Sequence, residues 1–96
     1  MADFYGVSER IIDKKGRAFV PKSLRVSLGS EIILIRQGNS FRIYPKEMAS
    51  QFPSHQILMV KIDPWGRLTI PSKLVKVVFP TRRIVWYGRG DHLEIR

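Results

Sequence analysis

Ile12-Asp13-Lys14-Lys15-Gly16-Arg17-Ala18-Phe19-Val20-Pro21 recurs fifty positions on as Ile62-Asp63-Pro64-Trp65-Gly66-Arg67-Leu68-Thr69-Ile70-Pro71. The correspondence continues outward: Leu24 falls opposite Leu74 and, after a shift of two around Thr81, Ile32-Ile33-Leu34-Ile35 aligns with Ile84-Val85-Trp86-Tyr87. Gly38 then pairs with Gly90 and Ile43 with Ile95. A period near fifty in a chain of 96 residues is the mark of a duplicated supersecondary unit. Neither copy alone can bury enough apolar surface to be stable, so the two are expected to complete one core around a pseudo-twofold axis.

Each copy opens with a run of branched apolar residues, Val7 to Asp13 and Ile57 to Asp63. Both runs end in Asp-x-x-Gly, a turn signal followed by a second short strand. Gly16 and Gly66 supply a backbone conformation closed to other residues. The aspartates Asp13 and Asp63 are read as structural, bonding to turn amides or to the neighbouring arginines. Pro21 and Pro71 suit the first position of short helices over Lys22 to Leu28 and Ser72 to Val78, and Gly29 closes the first. Third strands over Ile32 to Ile35 and Ile84 to Tyr87 reverse at Gln37-Gly38-Asn39 and Arg89-Gly90-Asp91. Fourth strands follow at Phe41 to Tyr44 and Leu93 to Ile95.

The expected fold class is therefore mainly β with short helices. Two tandem ββαββ repeats, about 5–46 and 56–96, form a single domain shaped as a pseudo-twofold barrel. A short helix over Lys46 to Phe52 joins them, with Pro53-Ser54 marking its end. Trp86 and Tyr87, lying in a strand, read as core or interface.

Composition narrows the function. Apolar residues make up 44% of the chain and charged ones 26%, as in a folded soluble protein. There is no cysteine, which removes disulfides and thiolate metal sites. The start lacks a secretory pattern and no apolar run reaches membrane-spanning length, so a cytoplasmic protein is expected. Seventeen Lys and Arg against eight Asp and Glu give a net charge of +9. Both halves contribute: nine basic against five acidic residues up to position 50, eight against three after it. Spread over a folded domain, this excess favours a polyanion, nucleic acid foremost.

Chemistry is poorly supported. His55 and His92 are far apart, and His92 with Asp91 and Glu94 offers too few ligands at a recognised spacing for a metal. No catalytic constellation, metal site or cofactor is expected, and the chain reads as a binding protein rather than an enzyme. Arg89-Gly90-Asp91 is a hairpin turn, and Gly29-Ser30 the end of a helix.

Asp-x-x-Gly-Arg followed by a short β segment, Pro and a small helix resembles the AbrB superfamily of swapped-hairpin transcription factors. The doubled arrangement, with Phe4-Tyr5-Gly6 ahead of the first motif, then Tyr44-Pro45 and finally Gly90-Asp91-His92-Leu93-Glu94-Ile95, is similar to its MraZ branch. The resemblance implies a swapped-hairpin barrel and a sequence-specific, nucleoid-associated regulator of transcription that binds double-stranded DNA as a homo-oligomer, a dimer or a ring. It further implies DNA contacts from basic residues of the hairpin and helix: Arg10, Lys14, Lys15, Arg17 and Arg25 in the first copy, and Lys61, Arg67 and Lys76 in the second. The copies differ, because Pro64 and Trp65 stand where the first has Lys14 and Lys15, and Val75 stands opposite Arg25. The first copy is expected to dominate binding. Chemically, Arg17 and Arg67, just past tight turns, carry the planar fork that suits phosphate or the acceptor edge of guanine. The neighbouring lysines would position the backbone.

Two other readings share the fold or the charge. One is an antitoxin-like adaptor whose main partner is a protein and which binds DNA to regulate itself. The other is a nonspecific coat on nucleic acid. The chain stops at Arg96, short of the C-terminal helix of typical members of the branch, so the size of any ring is left open.

Overall fold

A computed structural model describes residues 6–22 and 28–96. Eight strands run in the order β1 (Val7–Ile11), β2 (Arg17–Phe19), β3 (Glu31–Gln37), β4 (Ser40–Pro45), β5 (Ile57–Lys61), β6 (Arg67–Thr69), β7 (Arg83–Gly88) and β8 (Leu93–Ile95), with helix α1 (Ser72–Val78) between β6 and β7. The mainly β class with short helices is thus as expected. The backbone is helical at Lys22 and at Leu28; Leu24, Arg25 and the rest of 23–27 lie outside the described residues, as do Phe4 and Tyr5.

Pairing follows the duplication. β1, β7, β8, β4, β3 and β5 form one antiparallel sheet in that order, while β2 and β6 form a separate two-stranded ribbon. Each opening strand pairs with the third strand of the other copy. Val7 faces Tyr87 and Ile11 faces Arg83, just as Ile57 faces Ile35 and Lys61 faces Glu31. The ribbon is centred on Ala18 opposite Leu68, and β4 crosses β8 at Arg42 opposite Glu94. These two self-matching pairs mark where the pseudo-twofold axis runs. Among the described residues, only β3–β4 and β7–β8 pair within a copy.

The ladder does not close into a hydrogen-bonded barrel. β1 and β5 remain its two edges, and each turns through its Asp-x-x-Gly segment into the ribbon. The ribbon covers the core from that side: Ala18 and Leu68 are buried with Ile12, Val20 and Ile70, in one cluster with Ile32, Leu34, Phe41, Ile43, Ile84, Trp86, Leu93 and Ile95. α1 begins after Pro71, which occupies the capping position one residue ahead of the helix, and it buries Val75 and Val78 in the same cluster.

A second, smaller cluster lies on the outer face of the sheet. Ile33, Ile35 and Tyr44 are buried there beneath Met48, Ala49 and Phe52. The Ile-Ile-Leu-Ile run of β3 is apolar on both faces, as a strand covered on both sides must be. The cover is the 3₁₀ segment Lys46–Gln51, which leads into a second 3₁₀ turn at Ser54–Gln56. The short helix expected in the connection between the copies is there as a 3₁₀ helix, and a second, single-turn one follows it. Pro45 and Pro53, placed just ahead of each, set the φ that such short turns require. Tyr44 also stacks on His92 at 5.0 Å between ring centroids, tying this layer to the β7–β8 connection.

Candidate nucleic-acid interface

The two Asp-x-x-Gly-Arg turns are built alike. Asp13 Oδ1 accepts the backbone N–H groups of Lys15 (2.9 Å) and Arg17 (2.8 Å), while its Oδ2 accepts Arg17 Nε at 2.7 Å. Asp63 repeats this with Trp65 N–H (3.0 Å), Arg67 N–H (2.8 Å) and Arg67 Nε (2.8 Å). One short carboxylate thus closes the turn and grips the arginine that follows. Charge-assisted bonds of this kind are short and strong. Bonds from Arg17, its backbone amide foremost, hold the Asp13 carboxyl below its ordinary value. At Asp63 burial works the other way, but the bonds from Arg67 prevail and the carboxyl again lies below that value.

The turns also lock the copies together. Ile70 N–H donates to the Gly16 carbonyl at 2.8 Å, and Val20 N–H donates to the Gly66 carbonyl at 2.9 Å. Each glycine has positive φ, 82° at Gly16 and 84° at Gly66. The ribbon therefore carries one braced arginine at each end, in mirrored registers: Arg17 lies opposite Thr69, and Arg67 opposite Phe19.

Their surroundings differ. Arg17 shares its turn with exposed Lys14 and Lys15. Arg67 lies over aromatic rings, 5.2 Å from the centroid of Trp65 and 5.9 Å from that of Phe19, within cation–π range of both. Trp65 is 67% exposed and Phe19 53%, so one end of the ribbon is basic and the other aromatic.

Between each turn and the helical region of the other copy lies a cleft. The first, about 370 Å³, is lined by Asp13 and Lys14 of the turn, Ser72 and Lys76 of α1, and Arg82 beyond it. Its pseudo-twofold mate, about 380 Å³, has Lys22, Gly29, Ser30, Asp63 and Pro64 in the corresponding places.

The residues expected to touch DNA therefore separate. Lys14, Lys15, Arg17 and Lys76 gather around the first turn and its cleft, and Arg67 marks the opposite end. Arg10 does not belong to a turn: it is half-buried in mid-β1 opposite Ile84, donating to the Glu9 carbonyl at 2.8 Å. Lys61 closes β5, exposed and in register with Glu31, whose carboxylate pairs instead with Lys46 at 3.5 Å. Arg25 lies outside the described residues. Lys22 and Arg82 line the clefts although no motif singled them out; their signal was position alone, just after Pro21 in one copy and beyond the end of α1 in the other. Among the described residues no three of His, Cys, Asp and Glu gather as a metal site, and no helix is long and apolar enough to cross a membrane.

Two interlocked copies, exchanging their opening strands and sharing a ribbon with an aspartate-braced arginine at each end, define the AbrB-like swapped-hairpin class. Within it the chain belongs to the MraZ family: residues 4–57, more than half its length, match the family described as "MraZ protein, putative antitoxin-like". It is similar to proteins named Transcriptional regulator MraZ from Mycoplasmoides gallisepticum (27% identical, covering 96% of this chain and 80% of the relative), Dictyoglomus thermophilum (28%, 96% and 77%) and Leuconostoc citreum (27%, 96% and 79%).

Proposed function

We propose that this chain is a DNA-binding transcriptional regulator that recognises a specific duplex sequence through the first-copy turn. The observation that carries the reading is Arg17, whose Nε is committed to Asp13 while its two Nη groups lie outside that bond. A guanidinium fixed in this way enters a groove with little rotamer entropy left to lose, and its remaining fork suits the O6 and N7 acceptors of guanine. Lys14 and Lys15 beside it supply phosphate contacts. Arg67 plays the lesser part, since its guanidinium is already engaged by two aromatic rings. The names of the three relatives agree with this role.

A ribbon of six residues offers few base contacts. We therefore infer a homo-oligomer, dimer or ring, whose copies engage repeated half-sites and gain affinity through effective concentration. The working form is a single two-repeat domain in the cytoplasm, associated with the nucleoid, acting without cofactor or catalysis.

Selection from a randomised duplex pool at two salt concentrations tests the reading. A short, repeated, enriched motif that survives the higher salt supports it, because base discrimination outlasts phosphate attraction. Salt-sensitive binding without enrichment would make the chain a nonspecific coat. The family's antitoxin-like description favours a second reading, an adaptor for a protein partner. Failure to bind any duplex, together with one stoichiometric protein on purification, would move the chain there.

A further inference from the structure

Counted over the described lining residues, the cleft beside the first turn carries more cations than its mate, and they come from both copies. Lys14 comes from the first copy, Lys76 and Arg82 from the second, and all three are exposed. None of them forms an ion pair with a described residue. Asp13 also lines the cleft, but its oxygens are occupied by the Lys15 and Arg17 amides and by Arg17 Nε, so its charge is answered inside the turn. In the mate, Pro64 stands for Lys14 and Ser30 for Arg82, leaving Lys22 as the one cation among its described lining residues.

Arg82 is held at a cost. Its φ is 62°, the only positive value at a non-glycine among the described residues. Such a conformation is unfavourable for an ordinary side chain, whose Cβ crowds the following carbonyl oxygen. The matching connection in the first copy takes its positive φ at Gly29, where no such cost arises. Arg82 N–H donates to the Phe79 carbonyl at 2.9 Å and its carbonyl accepts Ile12 N–H at 2.8 Å, bonds that glycine would make equally well. The backbone needs this conformation; it does not need an arginine.

We propose that the Lys14–Lys76–Arg82 cleft is a phosphate seat that holds one stretch of the DNA backbone while Arg17, joined to the cleft wall through Asp13, reads the adjacent base edge. This rests on the duplex-binding reading and adds to it a residue, Arg82, and a place for the backbone beside the first turn. Three cations converging from three elements form a compact positive concavity, a shape that suits a phosphodiester better than it suits a flat base.

The test is fluorescence anisotropy on the full chain with a labelled duplex carrying a selected site and with an unrelated duplex, each across about 50–200 mM salt. Lys76→Ala and Arg82→Ala should each weaken binding to both duplexes by a similar factor, about threefold to thirtyfold. Each should also flatten the slope of log affinity against log salt by about 0.9 per lost phosphate contact. Arg82→Gly should have the same effect on binding while keeping or raising the thermal midpoint, which separates the lost charge from any loss of folding. Unchanged affinity and slope in these variants, with Arg17→Ala still impaired, would overturn the seat and leave the duplex reading standing. A loss confined to the selected site would also overturn it, making the cleft a base reader. Absence of duplex binding by the unaltered chain removes both.

Discussion

Gly16 and Ile70, fifty-four positions apart and from different copies, meet backbone to backbone: the Gly16 carbonyl accepts Ile70 N–H at 2.8 Å, and a Cβ added to Gly16 would collide with the Ile70 carbonyl oxygen. The turn that presents Arg17 is thus seated directly on the opposite copy, with no room for a side chain between.

Gly16→Ala should therefore be much more damaging than Gly38→Ala. Both glycines have positive φ, which alone costs alanine about 1–2 kcal/mol. Gly38 has open space around its missing Cβ, whereas Gly16 faces backbone that cannot move without breaking the ribbon. Urea melts should show a modest drop in midpoint for Gly38→Ala and a collapse or partial unfolding for Gly16→Ala. Equal shifts would mean that the turn is not clamped.

Arg17→Ala should weaken binding to a selected duplex by about 1–3 kcal/mol, the worth of one good bidentate base contact, and relax preference at one position. Arg67→Ala should cost less. Lys14→Ala should weaken all sequences alike. Competition titrations with matched and mutated sites separate the three, and an Arg67→Ala loss equal to that of Arg17→Ala would contradict the lesser part assigned to Arg67.

Restoring symmetry makes the converse test. Pro64→Lys with Trp65→Lys gives the second turn the lysines of the first, at exposed positions, and removes the Trp65 ring from Arg67. Nonspecific affinity should rise and the salt slope steepen by up to about 0.9 for each added phosphate contact. An unchanged slope would show that this end of the ribbon does not approach the duplex.

Asp13, Asp63 and Glu94 predict the acid limb of stability. At Glu94, burial opposes ionisation, but bonds from Arg89 (3.1 Å) and Arg96 (2.7 Å) outweigh it and the carboxyl lies below its ordinary value. A carboxyl depressed on folding contributes stability that is fully present above its unfolded pKa and is lost as pH falls through the folded one. The unfolded references are 3.8 for the aspartates and 4.5 for the glutamate. These three groups should therefore leave the denaturation midpoint level from pH 7 to 5 and lower it from about pH 4 downward. Asp13→Asn should shallow that fall and, by releasing Arg17, reduce sequence preference as well.

Much of this architecture can be read from the chain because the duplication is written in residue types. Asp, Gly, Arg and Pro at fixed offsets announce the turn twice, and the matched apolar runs give the third and fourth strands. The braces from Asp13 to Arg17 and from Asp63 to Arg67 follow from a short acceptor placed next to a tight turn. Other features depend on where the copies meet. The outer cluster of Ile33, Ile35 and Tyr44 needs a cover that only the path of 46–51 reveals, although a strand apolar on both faces asks for one. Arg10 and Lys61 are read from the sequence as basic residues of the opening hairpins, and register sets them within β1 and β5, beside Ile84 and Glu31, rather than on the turns. Arg82 escaped notice because it lies in the connection where the repeat offset shifts, so no counterpart drew attention to it.

The exchange of opening strands has a consequence for how the chain comes into being. Val7 finds its partner at Tyr87, eighty positions later, so during synthesis β1 is made first and waits unpaired until almost the whole chain has emerged. Long-range pairing of this sort slows folding. A ribosome that stops early releases an edge strand with no mate, a natural substrate for chaperone or protease, and never a half-strength regulator.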